Sequence, residues 1–375
     1  MSAFRYAHAA HASWERCVAD CAARLGRTGG GLGFAYFTDA FAPEAGRIVE
    51  RLREGTGVID WVGTVGVGVV ATGVEYLDEP ALAVMVADLD PASFRVFSGR
   101  KRPPQAGERT PAGASAAYFA VVHADPATPD VAGLIADMSS KVETGFLVGG
   151  LSSSRSQTVQ VANEVVTGGL SGVVLASDVA ISTRLTQGCT PLVPPGASPD
   201  AVRHRVTACD ENVIITLDGR PAFDVFRDAA GELLSRDLQR AAAFVLVGLP
   251  VKGSDRRDYV VRNLTGIDPR NKLIAIGEDV SPGAEIFFCK RDGSSASEDL
   301  RRILGELKSG APRYPRGALY FSCVARGEHM FGRRGAELEL VREGLGDVPL
   351  VGFFCSGEIS HDRLYGYTGV LTVFH

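Results

Sequence analysis

One pattern of apolar runs occurs three times along this chain. Each copy has a Tyr-Phe pair, a Val-Gly pair about thirty residues later and then a third apolar run, with a polar segment of helix length between the first two. The chain is therefore predicted to repeat one strand–helix–strand–strand unit, with a binding cleft where the Gly-rich strand ends meet. The pairs are Tyr36-Phe37 with Val62-Gly63, Tyr118-Phe119 with Val148-Gly149, and Tyr320-Phe321 with Val351-Gly352.

The balance of strands and helices predicts the fold class. Strand patterns outnumber helical ones, and hairpins within the copies indicate mixed sheets rather than one doubly wound parallel sheet. We expect an α/β fold of the mixed α+β kind in two domains. The segment TQGCTPLVPPGASPD (186–200) contains four prolines and two glycines, so it is the predicted boundary between domains at 1–190 and 201–375.

Individual elements can be predicted from caps and turn residues. Ser13 and Gly26 are placed to begin and end a first helix, and Gly168-Gly169 is predicted to form a hairpin turn between two strands. Pro221 is predicted to open a helix that includes Leu233 and Leu234. Further helices are predicted at 43–54, 130–142 and 296–310, a hairpin at 205–219, and strands at 242–248, 259–264, 272–276 and 284–289.

The composition excludes several classes of partner. A net charge of -5 over 375 residues gives no electrostatic footprint for nucleic acid or for an anionic membrane. The N-terminus has no apolar run of signal-peptide length, and the longest uncharged stretches are too short and Gly-rich to span a bilayer. The sequence therefore predicts a cytoplasmic protein without membrane insertion, in which the seven cysteines are reduced thiols.

Six ordered motifs in the second half resemble one known family. They are GCTPLVPP, VTACDENVIITLDGRPAFDVF, YVVRNLTGIDPRNKL, FSCVARGEHMFG, PLVGFFCSGEIS and LYGYTGVLTVF. Together with the repeated pairs of the first half, they resemble the FIST family, with its N-terminal and C-terminal domains. That resemblance implies an intracellular sensory module for signal transduction, with a small-molecule ligand such as an amino acid or a related metabolite.

The resemblance also implies partners. FIST domains often accompany histidine kinases, chemotaxis-type transducers or cyclic-di-GMP enzymes, and here the two FIST halves account for the whole sequence. We therefore expect a signal to pass to a separate protein. No catalytic motif is found, so the chain is not predicted to be an enzyme. The alternatives are a haem-based gas sensor, since some FIST proteins are described as such, and a thiol-dependent enzyme that acts on a small metabolite.

The densest polar cluster lies in the third copy. If the three strands are neighbours, Arg326 could hold a ligand carboxylate and Glu358 an amine, while Gly357 would let the backbone approach the ligand. The other interpretation is that Arg326 and Glu358 pair with each other and tie two loops together. The predicted ligand-binding residues of this copy are Cys323, Arg326, Ser356, Gly357, Glu358 and Thr368.

Two Gly-rich loops of the first half are candidate ligand loops. Residues 63–68 run on toward another apolar strand rather than opening a helix, which argues against a phosphate-cradling loop. Residues 149–155 are more polar, and Ser153 and Arg155 make them the better candidate, with an ordinary surface loop as the alternative.

Cysteine and histidine positions support the remaining alternatives. A thiol enzyme would use Cys189, Cys323 or Glu358, although no triad partner is evident, and His204 lies in the same flexible stretch as Cys189. The ligands of a zinc site usually come from two separate segments, whereas the histidines and cysteines near the N-terminus lie in one segment. That set is His8, His11, Cys17 and Cys21, and the candidate axial ligands for haem are His123, His329 and His361.

Overall fold

The computed structural model describes residues 4–99, 101–194, 196, 198–231, 244–251, 258–310 and 314–375. It has two compact units, Met1–Gln187 with Ala296–His375, and Gly188–Ser295. The first unit contains all three predicted copies, and the second is inserted between the second and third copies. The domain division predicted at 190–201 stays a prediction, because compactness and sequence motifs divide a chain by different criteria.

The first helix begins and ends where its capping residues predict, whereas the helices predicted at 43–54 and 296–310 begin at Ala45 and Gly293. The Ser13 hydroxyl accepts a hydrogen bond from the backbone N–H of Arg16, and Gly26 follows the last residue of the first helix. Before the second helix, a 3-10 turn at Asp39–Glu44 contains Pro43. The helices are α1 (Trp14–Leu25), α2 (Ala45–Thr56), α3 (Val131–Ser140), α4 (Ala222–Ala230), α5 (Gly293–Ser309), α6 (Glu328–Phe331) and α7 (Ala336–Leu345).

The strands of the first unit precede and follow the inserted second unit. Those before it are β1 (Arg5–Ala10), β2 (Leu32–Thr38), β3 (Asp60–Gly66), β4 (Gly68–Ala71), β5 (Val74–Leu77), β6 (Ala81–Ala87), β7 (Phe94–Phe97), β8 (Phe119–Ala124), β9 (Leu147–Leu151), β10 (Gln160–Ala162), β11 (Val165–Val166), β12 (Leu170–Leu175) and β13 (Ile181–Thr186). Those after it are β22 (Gly317–Cys323), β23 (Leu350–Cys355), β24 (Glu358–His361), β25 (Arg363–Tyr365) and β26 (Gly369–Phe374).

The second unit is one sheet, built from strands of different lengths, with a helix packed against it. Its strands are β14 (Cys189–Pro191), β15 (His204–Asp210), β16 (Val213–Leu217), β17 (Arg220–Pro221), β18 (Val245–Pro250), β19 (Tyr259–Asp268), β20 (Leu273–Ile276) and β21 (Glu285–Arg291). Helix α4 starts directly after Pro221, as predicted, and packs Phe226 against Phe288 of the sheet. The predicted apolar residues Leu233 and Leu234 lie outside the described residues.

Each copy forms the centre of its own six-stranded sheet in the first unit. The central triplets are β6-β2-β3, β12-β8-β9 and β26-β22-β23. In each, the middle strand pairs in parallel with the strand after its helix and antiparallel with the third strand. The predicted strand–helix–strand–strand unit and the mixed α/β fold are therefore both present.

The copies complete one another's sheets by a cyclic exchange of hairpins. The hairpin β4–β5 of copy one joins β23 of copy three, and β10–β11 of copy two joins β3 of copy one. The hairpin β24–β25 of copy three joins β9 of copy two. No copy therefore has a complete sheet by itself, and a change at one hairpin acts directly on the neighbouring copy.

The three sheets share an inner core and carry helices on their outer faces. The inner core combines Phe34 and Tyr36 of copy one, Val121 of copy two, and Phe321 and Phe353 of copy three, all fully buried. The outer faces pack on α1 and α2, on α3, and on α5 with α7. Burial of both faces explains why the central strands are continuous apolar runs.

The three Val-Gly pairs occupy equivalent places for a steric reason. A Cβ atom added at Gly63, Gly149 or Gly352 would lie 1.8, 1.8 or 1.7 Å from a carbonyl oxygen of the parallel neighbour. Only glycine fits that close approach of two backbones. The carbonyl oxygens belong to the register partners Ala35, Val122 and Tyr320.

The Tyr-Phe pairs, in contrast, are not equivalent, so that part of the predicted alignment is wrong. The residue that follows each of these glycines pairs with Tyr36, His123 and Phe321 respectively. Tyr118 instead precedes its strand and is partly exposed. The apolar pattern that recurs in buried strands tolerates a shift of several residues, which is why the pairs appeared aligned.

The hairpin predicted around Gly168-Gly169 is also wrong. Both glycines have positive φ, as a turn requires, but the turn connects β11 in the sheet of copy one to β12 in the sheet of copy two. Strand β11 pairs with β10 instead. Nothing local in the sequence marks the exchange of a hairpin between sheets.

Candidate functional site

Buried polar side chains gather at one end of the copy-three strands. Cys323 ends β22 and Arg326 follows it, Glu358 begins β24, and Thr368 precedes β26. All four are buried. The segments that the sequence predicted to be neighbours therefore lie together, because the loops after neighbouring strands meet at one edge of a sheet.

Arg326 is held by a partner that the sequence did not indicate. Its Nε lies 2.7 Å from Oε1 of Glu337, and both side chains are fully buried. The same carboxylate accepts hydrogen bonds from Tyr320 Oη at 2.6 Å, from Ser322 Oγ at 3.0 Å and from the backbone N–H of Gly327 at 3.3 Å. The predicted alternative, an ion pair between Arg326 and Glu358, is wrong, because Glu337 takes that place. The only sign of Glu337 in the sequence is that an acidic residue lies early in an amphipathic helix.

Part of the Arg326 guanidinium remains unused. Nη1 is 3.5 Å from the carbonyl oxygen of Tyr367, and Nη2 has no hydrogen-bond partner among the described residues. The guanidinium carbon lies 5.2 Å from the centre of the Phe331 ring. Burial by itself would lower the pKa of Arg326, but the charge of Glu337 outweighs it and raises that pKa. Arg326 is therefore a fixed, buried cation whose Nη2 is available for a further hydrogen bond.

Glu358 also has one unused atom. Its Oε2 accepts hydrogen bonds from the backbone N–H of Thr368 at 3.1 Å and from the Thr368 hydroxyl at 2.8 Å. Its Oε1 has no partner among the described residues. Burial raises the pKa of Glu358 to about 8, against the opposing effects of Thr368 and the charge of Arg326. This carboxyl is thus largely protonated at neutral pH.

A comparison with the other copies singles out Glu358. The residue after each close-packed glycine pairs across the sheet with Val69, Gln160 or Glu358. Val69 lies in the shared apolar core, and Gln160 uses both ends of its amide, toward Ser171 and toward the carbonyl oxygens of Gly168 and Gly169. Of these three positions, Glu358 is the one with an unpartnered buried polar atom.

The neighbouring predicted residues have structural partners. A Cβ atom on Gly357 would lie 2.9 Å from Leu364 Cδ1, so this glycine makes room for a side chain. The Gly357 carbonyl oxygen accepts a hydrogen bond from the Leu151 N–H at 2.8 Å, and the Ser356 N–H donates to the Leu151 carbonyl oxygen at 3.1 Å. Ser356 itself is exposed. These two residues fasten copy three to copy two.

Ser153 and Arg155 form their hydrogen bonds with residues outside this cluster. The buried Ser153 hydroxyl accepts from the Val67 N–H at 2.9 Å and donates to the Phe354 carbonyl oxygen, which joins all three copies. Arg155 is exposed and makes two bonds to the Asp39 carboxylate, at 2.8 and 3.0 Å, and a third to Asp78. Its charge is thus shared between two aspartates of copy one.

Comparison with known sequences identifies the family. The profile of the FIST N domain matches residues 31–220, and that of the FIST C domain matches residues 222–361. The chain belongs to the FIST family. FIST domains are a sensory and signal-transduction family.

Curated relatives agree with that assignment. The uncharacterized protein Rv0628c of Mycobacterium tuberculosis is 33% identical over 334 residues, which cover 84% of this chain and 83% of the relative. The uncharacterized protein Mb0898c of Mycobacterium bovis is 31% identical over 220 residues, 56% of this chain and 55% of the relative. Among the described residues of this FIST protein, every helix is too short or too polar to cross a membrane.

The surroundings of the thiols bear on the enzyme alternative. Cys323 and Cys355 are register partners on the parallel strands β22 and β23. Burial raises the pKa of both thiols, and the nearby Glu358 adds to the increase. Cys189 is buried in the second unit, where His204 bonds to Asp218 instead of to this thiol. At Cys323 and Cys355, burial thus disfavours the thiolate that a reactive cysteine requires.

The candidate histidines of this FIST protein differ in setting. The His123 ring is fully buried, with Nε2 3.2 Å from Tyr36 Oη and aromatic rings of copy three against it. These contacts do not fit an axial haem ligand, which must face space for a porphyrin. His361 bonds to Asp362, and His329 is exposed on α6.

The N-terminal histidines and cysteines also have ordinary structural roles. His8 Nδ1 lies 2.6 Å from Tyr76 Oη, and His11 Nδ1 accepts a hydrogen bond from the Ser13 N–H at 2.9 Å. Cys17 and Cys21 are buried on the inner face of α1. Over the part of the chain that the structure describes, no three His, Cys, Asp or Glu side chains are placed to hold a metal ion.

Proposed function

We propose that this FIST protein is a cytoplasmic, non-enzymatic sensor that binds a small zwitterionic metabolite, an amino acid or a related compound, at Arg326 and Glu358. The observation that carries the proposal is the pair of unpartnered buried atoms, Arg326 Nη2 and Glu358 Oε1. An unsatisfied buried polar group typically destabilises a protein by about 1–3 kcal/mol. A bound molecule that satisfies both removes that penalty.

The chemistry of the two groups defines the ligand. Arg326 offers N–H donors on a permanent cation, which suits a carboxylate. Glu358 offers an acceptor oxygen on a carboxyl that can ionise, which suits an ammonium group. An α-amino acid carries both groups on one carbon, and the charges of Arg326 and Glu358 act on each other's pKa, which places the two residues near each other.

The exchanged hairpin provides a route for the signal. Glu358 is the first residue of β24, which pairs with β9 of copy two, and it pairs there with Gly150. A ligand that contacts Glu358 therefore acts on the junction between copies two and three. A ligand shifts an equilibrium between two arrangements of this junction if it binds one of them better. A separate protein, a histidine kinase, a chemotaxis-type transducer or a cyclic-di-GMP enzyme, reads that change.

The direct test is a thermal-shift screen of the full chain against the twenty amino acids and related organic acids, followed by calorimetry. At about 100 times its dissociation constant, a ligand should stabilise the protein by roughly 2.7 kcal/mol. Arg326→Lys keeps a charge beside Glu337 but loses the planar guanidinium that can bind a carboxylate through two N–H groups. Glu358→Gln keeps the shape of the side chain but cannot ionise when an ammonium group binds. Each should weaken binding at least about tenfold.

Arg155→Lys is the matched control, because Arg155 is exposed and its partners are Asp39 and Asp78. It should bind the ligand as the unmodified protein does. If no amino acid or related acid stabilises the protein, or if the two site variants bind as well as the control, the unpartnered atoms are hydrated structural groups and the proposal fails. Ligand-dependent recovery of a kinase, transducer or cyclase from the host tests the signalling step.

A further inference from the structure

The second unit contains a cavity of about 790 Å³. Its walls come from β14 and the residues that follow it, from the start of β15, and from α4 and β21. Leu192, Val225 and Phe288 supply apolar surface. Sites for small molecules usually measure about 300–1,000 Å³ and are largely apolar with a few polar groups. This cavity has those properties and lies in a different compact unit from Arg326 and Glu358.

Most polar groups of the cavity wall are already satisfied. Arg220 pairs with Asp228 at 2.5 Å. One oxygen of Asp292 accepts the backbone N–H groups of Ser294 and Ser295, each at 3.0 Å. Asp228 thus balances the charge of Arg220, and Asp292 is held by backbone donors.

Two nitrogen-bearing groups retain capacity. Lys290 is exposed, and its charge adds to the hydrogen bonds that lower the pKa of Asp292. It lies two residues after Phe288 on the same face of β21. His204 bonds through Nδ1 to Asp218 at 2.8 Å, which orients the ring and leaves Nε2 for a ligand. The His204 ring centre is 6.1 Å from that of Phe288. A cation and an oriented imidazole thus border one apolar wall.

We propose that this cavity binds an amphipathic carboxylate, a compound with an apolar chain or ring and a single carboxylate group. Lys290 pairs with the carboxylate, His204 gives it a second polar contact, and Phe288, Leu192 and Val225 cover the apolar part. The site is independent of the proposed function at Arg326 and Glu358. It makes the second unit a ligand-binding domain in its own right.

Calorimetry of the full chain with a matched set of probes tests this assignment. Octanoate and 3-phenylpropionate have both required parts, whereas 1-octanol lacks the charge and acetate lacks the apolar body. We expect one of the first two to bind with one-to-one stoichiometry, and both reduced probes to bind at least about tenfold more weakly. If neither complete probe binds, the proposal is overturned.

Variants locate the site. Lys290→Met keeps the apolar stem and removes the charge, so it should weaken binding about tenfold or more. Lys308→Met is the control, since Lys308 is an exposed lysine of α5 in the first unit, and it should bind as the unmodified protein does. Ala229→Trp fills the cavity from α4 and should abolish binding, with circular dichroism to verify folding.

The two proposals fail in different ways. Equal binding by the Lys290 and Lys308 variants overturns the cavity assignment, whatever the amino acid screen gives. A response to amino acids that Glu358→Gln abolishes and Lys290→Met leaves intact supports only the first site. Retention of octanoate binding in Glu358→Gln, with its loss in Lys290→Met, supports the second site by itself.

Discussion

Arg326 and Glu337 form an ion pair 2.7 Å long in which neither side chain is exposed to solvent. Four donors surround the carboxylate of Glu337: the Arg326 Nε–H, the hydroxyls of Tyr320 and Ser322, and the Gly327 N–H. In a buried ion pair, the attraction between the charges is largely offset by the free-energy cost of removing both from water. The largest loss of stability is therefore expected when only one partner is removed.

Glu337→Gln should therefore destabilise the first unit by about 3–5 kcal/mol, because it leaves the Arg326 charge buried without compensation. Both tryptophans, Trp14 and Trp61, belong to that unit, so urea unfolding followed by tryptophan fluorescence measures it selectively. The exposed pair Arg333–Glu339 gives the control, and Glu339→Gln should leave the midpoint unchanged. A Glu337→Gln midpoint within error of that control would contradict the account.

The repeat itself could be predicted from sequence, and its assembly could not. Periodic apolar runs indicate strands and helices because burial enforces those periods. The sharing of hairpins between copies depends on contacts such as Glu358 with Gly150, more than two hundred residues apart, that no local pattern encodes. Sequence order suggests that strands neighbouring in the chain pair with each other. For that reason, the prediction that the strands on either side of Gly168-Gly169 form a hairpin is wrong.

The site shows the same division. Arg326, Glu358 and Thr368 follow or begin strands of one copy, and strand order alone brings them near one another. Glu337 was missed, since a single glutamate in an amphipathic helix normally faces water, and only the packing of α7 shows that it is buried. Arg155 is a predicted ligand residue of the first half because its loop is polar, but its pairing with two aspartates depends on the fold and has no signal in the local sequence.

Glu358 should make stability depend on pH in an unusual direction. Its pKa is about 8 when folded, against an ordinary value of 4.5, so between these values the folded state binds a proton that the unfolded state has lost. The free energy of unfolding from this group therefore falls as pH rises from 4.5 to 8, and each unit of pKa difference corresponds to about 1.4 kcal/mol. Urea midpoints of Glu358→Gln, measured from pH 5 to 8.5, should decline less than those of the unmodified protein. Parallel declines in the two proteins would rule out a raised pKa at this position.

The close-packed glycines should be the least replaceable residues of the repeat. At Gly352, a Cβ atom would lie 1.7 Å from the Tyr320 carbonyl oxygen, so Gly352→Ala must separate two strands and should destabilise by more than about 3 kcal/mol. Gly305→Ala is the matched control, because an added Cβ there meets no atom within 4 Å, and this residue lies inside α5. That control should be neutral or stabilise by up to about 1 kcal/mol. Thermal unfolding that ranks the two variants in the opposite order would show that the two strands do not approach so closely at Gly352.

His123 occupies the position that Tyr36 and Phe321 hold in the other copies, and its Nδ1 has no partner among the described residues. Burial lowers the pKa of His123 to about 3, from an ordinary value of 6.5. Between these values the unfolded state binds a proton that the folded state does not, so this residue makes stability rise with pH from 3 to 6.5 and remain level above it.

His123→Phe should remove that dependence and also the unpartnered nitrogen, while an aromatic ring still fills the core. The variant also leaves the buried Tyr36 hydroxyl without its partner, which costs the same stability at pH 5 and at pH 7.5. We therefore expect its urea midpoint, relative to that of the unmodified protein, to be higher at pH 5 than at pH 7.5. Tyr36→Phe is the companion variant, since it removes the hydroxyl at 3.2 Å from His123 Nε2. Because it leaves a second imidazole nitrogen without a partner, it should destabilise by about 1–3 kcal/mol at neutral pH. A His123→Phe variant whose midpoint changes with pH in parallel with that of the unmodified protein would contradict the lowered pKa of His123.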